Sequence, residues 1–319
     1  MTELVVVAGA VDSAGRAGGD RLVGTAETAD TVARELMGLR IDPGSGRGEL
    51  VAVPHLLNAV GGLWGGAGLA VALALGAQVL ERPPLRASVQ YISPIRAGER
   101  LELRVEPGHH GRQLSQAVVR GTVEGRLALV ATGTFGEQAG DGRSGDAVSI
   151  PDGPADRQLV APPAGVPAPE QCPERTVPAD PPGAAPGMRG CFEERWARPM
   201  PPELTGSPSD GRSVLWLRPR AHLPMSAVLL ALLADFAPAA ISVARGVHTY
   251  GASLDNSIRV VDVPTDQAGN EQIRWVLLDV RVEALVRGVA QLHTRMFDED
   301  GRLLATAGQS MIESRPPWL

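Results

Sequence analysis

An α+β fold made of two copies of one unit, an apolar helix followed by an antiparallel meander, is what this sequence predicts. Three observations carry that reading. An uncharged, glycine-rich run at residues 58–80 has a counterpart in the apolar run at 226–243. Each run is followed by four segments with strand periodicity. The closing hairpins of the two halves also resemble each other, "EGRLALVATGTF" at 124–135 and "DGRLLATAGQSM" at 300–311, as expected of an internal repeat.

Residues 1–25 read as a short apolar stretch and a Gly-rich, mobile lead. With an acid at position 3 and no basic n-region, a signal peptide is not expected. The first unit spans 26–137. It opens with "AETADTVARELMGL" (26–39), where Val32, Leu36 and Leu39 have the spacing of a short amphipathic helix. The glycine-rich helix follows. After Pro83-Pro84 come strands at 85–94, 99–108, 113–125 and 126–137, with Gly108, Gly111 and Glu124-Gly125 as turns. Leu101, Leu103 and Val105 alternate with Glu102, Arg104 and Glu106, so that strand has one wet face.

Residues 138–189 turn into Pro, Gly, Ala and Asp and read as a linker, because such a composition buries little apolar surface. The second unit spans 190–319. Order resumes near 191–200 and 213–224, the helix follows at 226–243, and strands are expected at 251–264, 273–284, 288–301 and 302–314. The run at 58–80 is apolar enough to suggest a membrane span. Its counterpart, however, carries Asp235 near its centre, and both runs lead straight into alternating strands. Helices buried against a sheet, with no membrane span, are therefore predicted.

Composition removes several function classes. A net charge of −6 gives no reason to expect nucleic acid as a partner. All 30 basic residues are arginine, so a P-loop lysine and a Schiff-base lysine are both excluded. Two cysteines make neither a disulfide framework nor a four-ligand metal site, and a cytoplasmic location is the expectation. The six histidines show no ligand spacing, and no metal site is expected. G-x-S-x-G and H-E-x-x-H are absent. One residue invites chemistry. Asp235, in "LLALLADFAPAA", is a carboxylate in apolar company that requires pairing, hydrogen bonding or water, unless Pro238 merely ends the helix there.

Four short motifs, "GLWGGAGLAVAL", "LADF", "SLDNSI" and "LLATAGQSMI", together resemble the thioesterase II type of bacterial acyl-CoA thioesterases in order and spacing. The resemblance covers roughly 26–137 and 190–314. It implies a double hotdog, two tandem units of a central helix wrapped by an antiparallel sheet. It also implies hydrolysis of a fatty-acyl or related acyl-CoA to free acid and CoA, with no cofactor beyond the CoA of the substrate. Carried over by motif, the residues that hold the hydrolytic water fall on Asp235, Ser253 and Gln309. A carboxylate can accept a proton from water, while a hydroxyl and a carboxamide orient it. Trp64, Gly65 and Gly66 fall at the glycine-rich helix start, where backbone amides can face the thioester carbonyl or the glycines can serve close packing.

The chain departs from the family pattern at Trp64, at Ala67 (usually Gln), at Asn256 (commonly His) and through "IRVVDVP" at 258–264. The departures at 256–264 keep open a non-hydrolytic acyl-thioester-binding or tailoring protein of a lipid or polyketide pathway. A hydratase on the same fold is disfavoured, since no His lies near Asp235 until His248. A homodimer or higher homo-oligomer is expected, because sheet edges invite pairing.

Overall fold

The computed structural model describes residues 31–136, 157–175, 187–198, 206–263 and 274–314. The expected mobile lead at 1–25 lies outside them, as do residues 138–156 and 176–186 of the expected linker.

Twelve strands form one antiparallel sheet in the order β1-β2-β4-β5-β6-β3-β9-β12-β11-β10-β8-β7. The first half supplies β1 (Arg40–Asp42), β2 (Arg47–Val51), β3 (Pro84–Tyr91), β4 (Arg100–His110), β5 (Leu114–Val123) and β6 (Arg126–Gly136). The second supplies β7 (Phe192–Arg198), β8 (Arg212–Pro219), β9 (Tyr250–Val260), β10 (Val276–Val286), β11 (Val289–Phe297) and β12 (Leu303–Ser314). The order in the second half mirrors that in the first, and the halves join where β3 pairs with β9. Each half also has a hairpin ahead of its helix, β1–β2 and β7–β8, that extends the far edge of its sheet.

The duplication extends to single residues. Ser88 pairs with Ser257, flanked by Ala87 opposite Ile258 and Val89 opposite Asn256. Exchanging the halves about the Ser88–Ser257 pair reproduces the same register. A bulge passes over Leu85 in the β3–β6 pairing, and another passes over Leu254 in the β9–β12 pairing. The β5–β6 and β11–β12 hairpins turn on Gly125 and Gly301, both in the left-handed region with φ of 78° and 84° that favours glycine.

The central helix of the first half, α1 (Gly65–Leu80), is buried along nearly its whole length against β3 and β6. The apolar run at 226–243, expected as one helix, is two. They are α2 (Ala227–Ala234) and α3 (Ala239–Arg245), with a turn at 235–238 between them. Pro238 accounts for the break: it has no N–H to donate and its ring obstructs the preceding turn. The 227–245 stretch is apolar enough to cross a membrane, but 83% of its apolar window is buried inside the fold.

Residues 157–175 of the expected linker pack on the outer face of the second half's sheet. Cys172, Val160 and Val166 cover Val214, Trp216, Trp275, Leu277 and Phe297. This is why β10 reads as a continuous buried run and not as an alternating one. Each half thus wraps its own six strands around apolar helix, unbroken in the first half and divided into α2 and α3 in the second, and the whole is a double hotdog.

Candidate active site

The start of α1 meets the end of α2, and the site forms at that junction. Trp64, at the N-cap of α1, makes no side-chain cap hydrogen bond, so the first amides of the helix need an external acceptor. Asp235, the C-cap residue of α2, supplies one: the Gly66 N–H donates to its Oδ2 at 3.0 Å. The carboxylate also sits where the α1 dipole favours negative charge.

Side chains from the second-half sheet complete the group. Gln309 on β12 donates from Nε2 to Asp235 Oδ1 at 2.6 Å and to Ser253 Oγ on β9 at 2.9 Å. The three residues expected to hold a hydrolytic water are therefore joined in one hydrogen-bonded chain. Asp235 is 5% exposed, and burial pushes its carboxyl from 3.8 up to about 6. The Gly66 amide, Gln309, the positive charge of Arg189 and the Gly65 amide pull in the opposite direction. Such a group is ionised at neutral pH and still basic enough to take a proton.

Trp64, Gly65 and Gly66 bind α1 to its neighbours. Trp64 Nε1 donates to the Leu232 carbonyl at 3.2 Å, and its ring packs 5.2 Å from that of Phe236. The Gly65 carbonyl accepts from the Tyr91 hydroxyl at 2.5 Å. A Cβ on Gly66 would lie 2.7 Å from the Leu232 carbonyl oxygen and 3.0 Å from that of Ala231. One on Gly65 would lie 3.0 Å from Asp235 Oδ2. The glycines therefore let the two helices close on each other, and the amide expected to face a substrate carbonyl faces the carboxylate of Asp235.

Two residues of this neighbourhood had no signal in the sequence. Tyr91 reaches it only because β3 runs beside β9. Its hydroxyl is held well above the ordinary range, chiefly by burial, with the Asp235 and Asp255 charges adding to the effect. Arg189 lies in the 3-10 turn Gly187–Cys191, inside the stretch read as linker. Its guanidinium stacks 4.9 Å over Phe236 and 5.7 Å from Trp64, and donates to Glu194 at 2.6 Å. Glu194 also accepts from Arg175 at 2.8 Å, so the buried carboxylate is doubly paired.

Among the described residues, the first half has no such group. The register that pairs Gln309 with Asn256 pairs Gly133 with Ala87, and Ser253 corresponds to Pro84. Phe135 lies against Gly133 and Gly76 and is fully buried, which makes this end of the first half plain apolar core. Among the described residues, no group of three or more His, Cys, Asp or Glu side chains is placed to hold a metal ion.

Comparison with known proteins bears on the family and the fold. The family described as the acyl-CoA thioesterase N-terminal domain matches residues 53–136, and the corresponding C-terminal domain matches 169–312. A candidate thioesterase of Novosphingobium aromaticivorans is 33% identical with a TM-score of 0.68, the match covering 86% of this chain and 96% of that one. A hot dog fold protein of Alicyclobacillus acidocaldarius is 19% identical with a TM-score of 0.70, over 87% and 96% of the two chains. The tesB protein of Mycobacterium avium subspecies paratuberculosis is 20% identical with a TM-score of 0.66, over 91% and 100%. At these lower identities the last two speak to the fold alone. No curated protein matches the chain. With both family domains in tandem on a duplicated helix-and-sheet unit, the chain belongs to the acyl-CoA thioesterase family of double-hotdog thioester hydrolases.

Proposed function

We propose that this protein hydrolyses a fatty-acyl or related acyl-CoA by direct attack of water, with Asp235 as general base and Ser253 and Gln309 positioning the water. The observation that carries the reading is the hydrogen-bonded chain Ser253–Gln309–Asp235, half-buried at Ser253 and buried at Gln309 and Asp235, with Asp235 raised to about 6. Water forms a bond to the thioester carbon as its proton passes to Asp235. The carbonyl π pair moves onto oxygen and returns as the C–S bond breaks. Asp235 then gives the proton to the departing thiolate. Neither an acyl-enzyme nor a cofactor is needed, since water is the second reactant.

The test is thiol release across a panel of acyl-CoAs of increasing chain length, for the native protein and Asp235→Asn. Loss of a general base is expected to lower kcat by about 10²–10⁴-fold. Equal rates in the two proteins would overturn the assignment of Asp235. Tight binding of acyl-CoA with no turnover at any length would favour the non-hydrolytic reading that the departures at 256–264 leave open.

A further inference from the structure

Asn256 is completely buried on β9, and neither its Nδ2 nor its Oδ1 has a hydrogen-bond partner among the described residues. Gln309 Oε1 is likewise buried and unpartnered. Buried carboxamides lose their hydration and are ordinarily hydrogen-bonded, so this pair of orphans needs a physical account. The two residues are direct cross-strand partners, which puts their side chains on the same, helix-covered face of the sheet. That face also carries Ser253 and receives Asp235.

The duplication separates a functional Asn256 from a structural one. Its counterpart in the first half is Ala87, just as the counterparts of Ser253 and Gln309 are Pro84 and Gly133. The fold is therefore built at these positions without any polar side chain. Asn256 is polar only in the half that has the site.

The unpartnered atoms also match a chemistry. A thioester carbonyl offers only acceptors, whereas water offers donors as well. The Gly66 amide at the helix start already donates to Asp235, so an electrophilic donor has to come from elsewhere. We propose that Asn256 is a further substrate-contacting residue: its Nδ2 donates to the carbonyl oxygen of the bound acyl thioester, while Gln309 Oε1 accepts from the attacking water. As the water oxygen bonds to the carbonyl carbon, the π pair collects on the oxygen facing Asn256. A fixed donor in a water-excluded site then counts for more than it would in solvent. This inference rests on the hydrolytic reading above.

The experiment uses Asn256→Ala, the residue found at the duplicated position, and Asn256→Leu, which fills the volume. In acyl-CoA hydrolysis both are expected to lose about 10²–10³-fold in kcat, the effect of removing one oxyanion donor, with melting temperature retained. Binding of two non-hydrolysable CoA analogues provides a second readout. One keeps the carbonyl, with CH₂ in place of sulfur, and the other is a thioether lacking it. The native protein is expected to prefer the ketone, and the variants to lose that preference. A folded variant that keeps native kcat, or the native preference for the ketone, overturns the proposal. If Asp235→Asn is inactive while Asn256→Ala is fully active, only the role of Asn256 fails. If Asp235→Asn is itself fully active, the parent reading fails.

Discussion

Asp235 is held where its charge is disfavoured, and pH exposes this. Its carboxyl stands near 6 in the fold against 3.8 ordinarily. The fold therefore prefers the protonated form. That contribution to stability is complete below 3.8 and is lost as pH rises through about 6. The difference corresponds to about 3 kcal/mol. Between about pH 4 and pH 7, melting of the native protein should fall relative to Asp235→Asn, whose side chain does not titrate. Parallel melting curves across that range would contradict the burial argument. As the proposed general base, the same group should set the acid limb of kcat/KM, which is then expected to rise through about pH 6. Arg189 supports the ionised form, so Arg189→Gln should move the limb to higher pH while Arg189→Lys leaves it in place. Identical pH profiles for the two variants would remove Arg189 from the site's electrostatics. Asp235, Ser253 and Gln309 were legible through motif order, and Asn256 only as a departure. Arg189 was not legible at all, because nothing local distinguishes one arginine in a Pro-rich stretch from another until packing sets it over Phe236.

The junction of α1 and α2 turns two glycines into separable tests. A methyl on Gly66 would press on the carbonyl oxygens of Leu232 and Ala231, which cannot move without moving α2. Gly66→Ala should therefore lower stability by about 1–3 kcal/mol, as overpacking does, and reduce activity by disturbing the amide that holds Asp235. At Gly65 the three atoms nearest a methyl all belong to the Asp235 carboxylate, the end of a side chain and not backbone. Gly65→Ala should keep most of the stability and lose rate. Calorimetry and initial rates on both variants check the contrast, and equal stability losses would contradict it. The alternation of Leu101, Leu103 and Val105 made β4 readable, and the strands of both meanders fall close to their expected places. Not readable were β1 and β2, three and five residues with few apolar positions, which join the sheet because β2 pairs with β4 and β1 with β2. The single helix expected at 226–243 gave way to two because Pro238 outweighs an otherwise continuous apolar run.

At the scale of the molecule, the repeat was visible in one hairpin, but its consequence was not: the candidate site is assembled from both halves. Asp235, Ser253 and Gln309 belong to the second half, yet the amide on Asp235 comes from Gly66, and Trp64 of the first half ties down Leu232. The halves meet through β3 and β9, whose edges pair only with each other across the Ser88–Ser257 register. A second half expressed alone would leave the β9 edge open and Asp235 without its amide donor. Residues 1–156 and 157–319 produced as separate chains should therefore each be inactive, and joining them by co-expression should restore thiol release. The break before 157 keeps Gln158 with the half it contacts, where its side chain accepts from the Leu303 amide and donates to the Gly301 carbonyl. Full activity from residues 157–319 alone would show that Gly66 and Trp64 are dispensable. Restoration by co-expression, with Gly66→Ala in the first chain abolishing it, would place the first half's contribution at the start of α1.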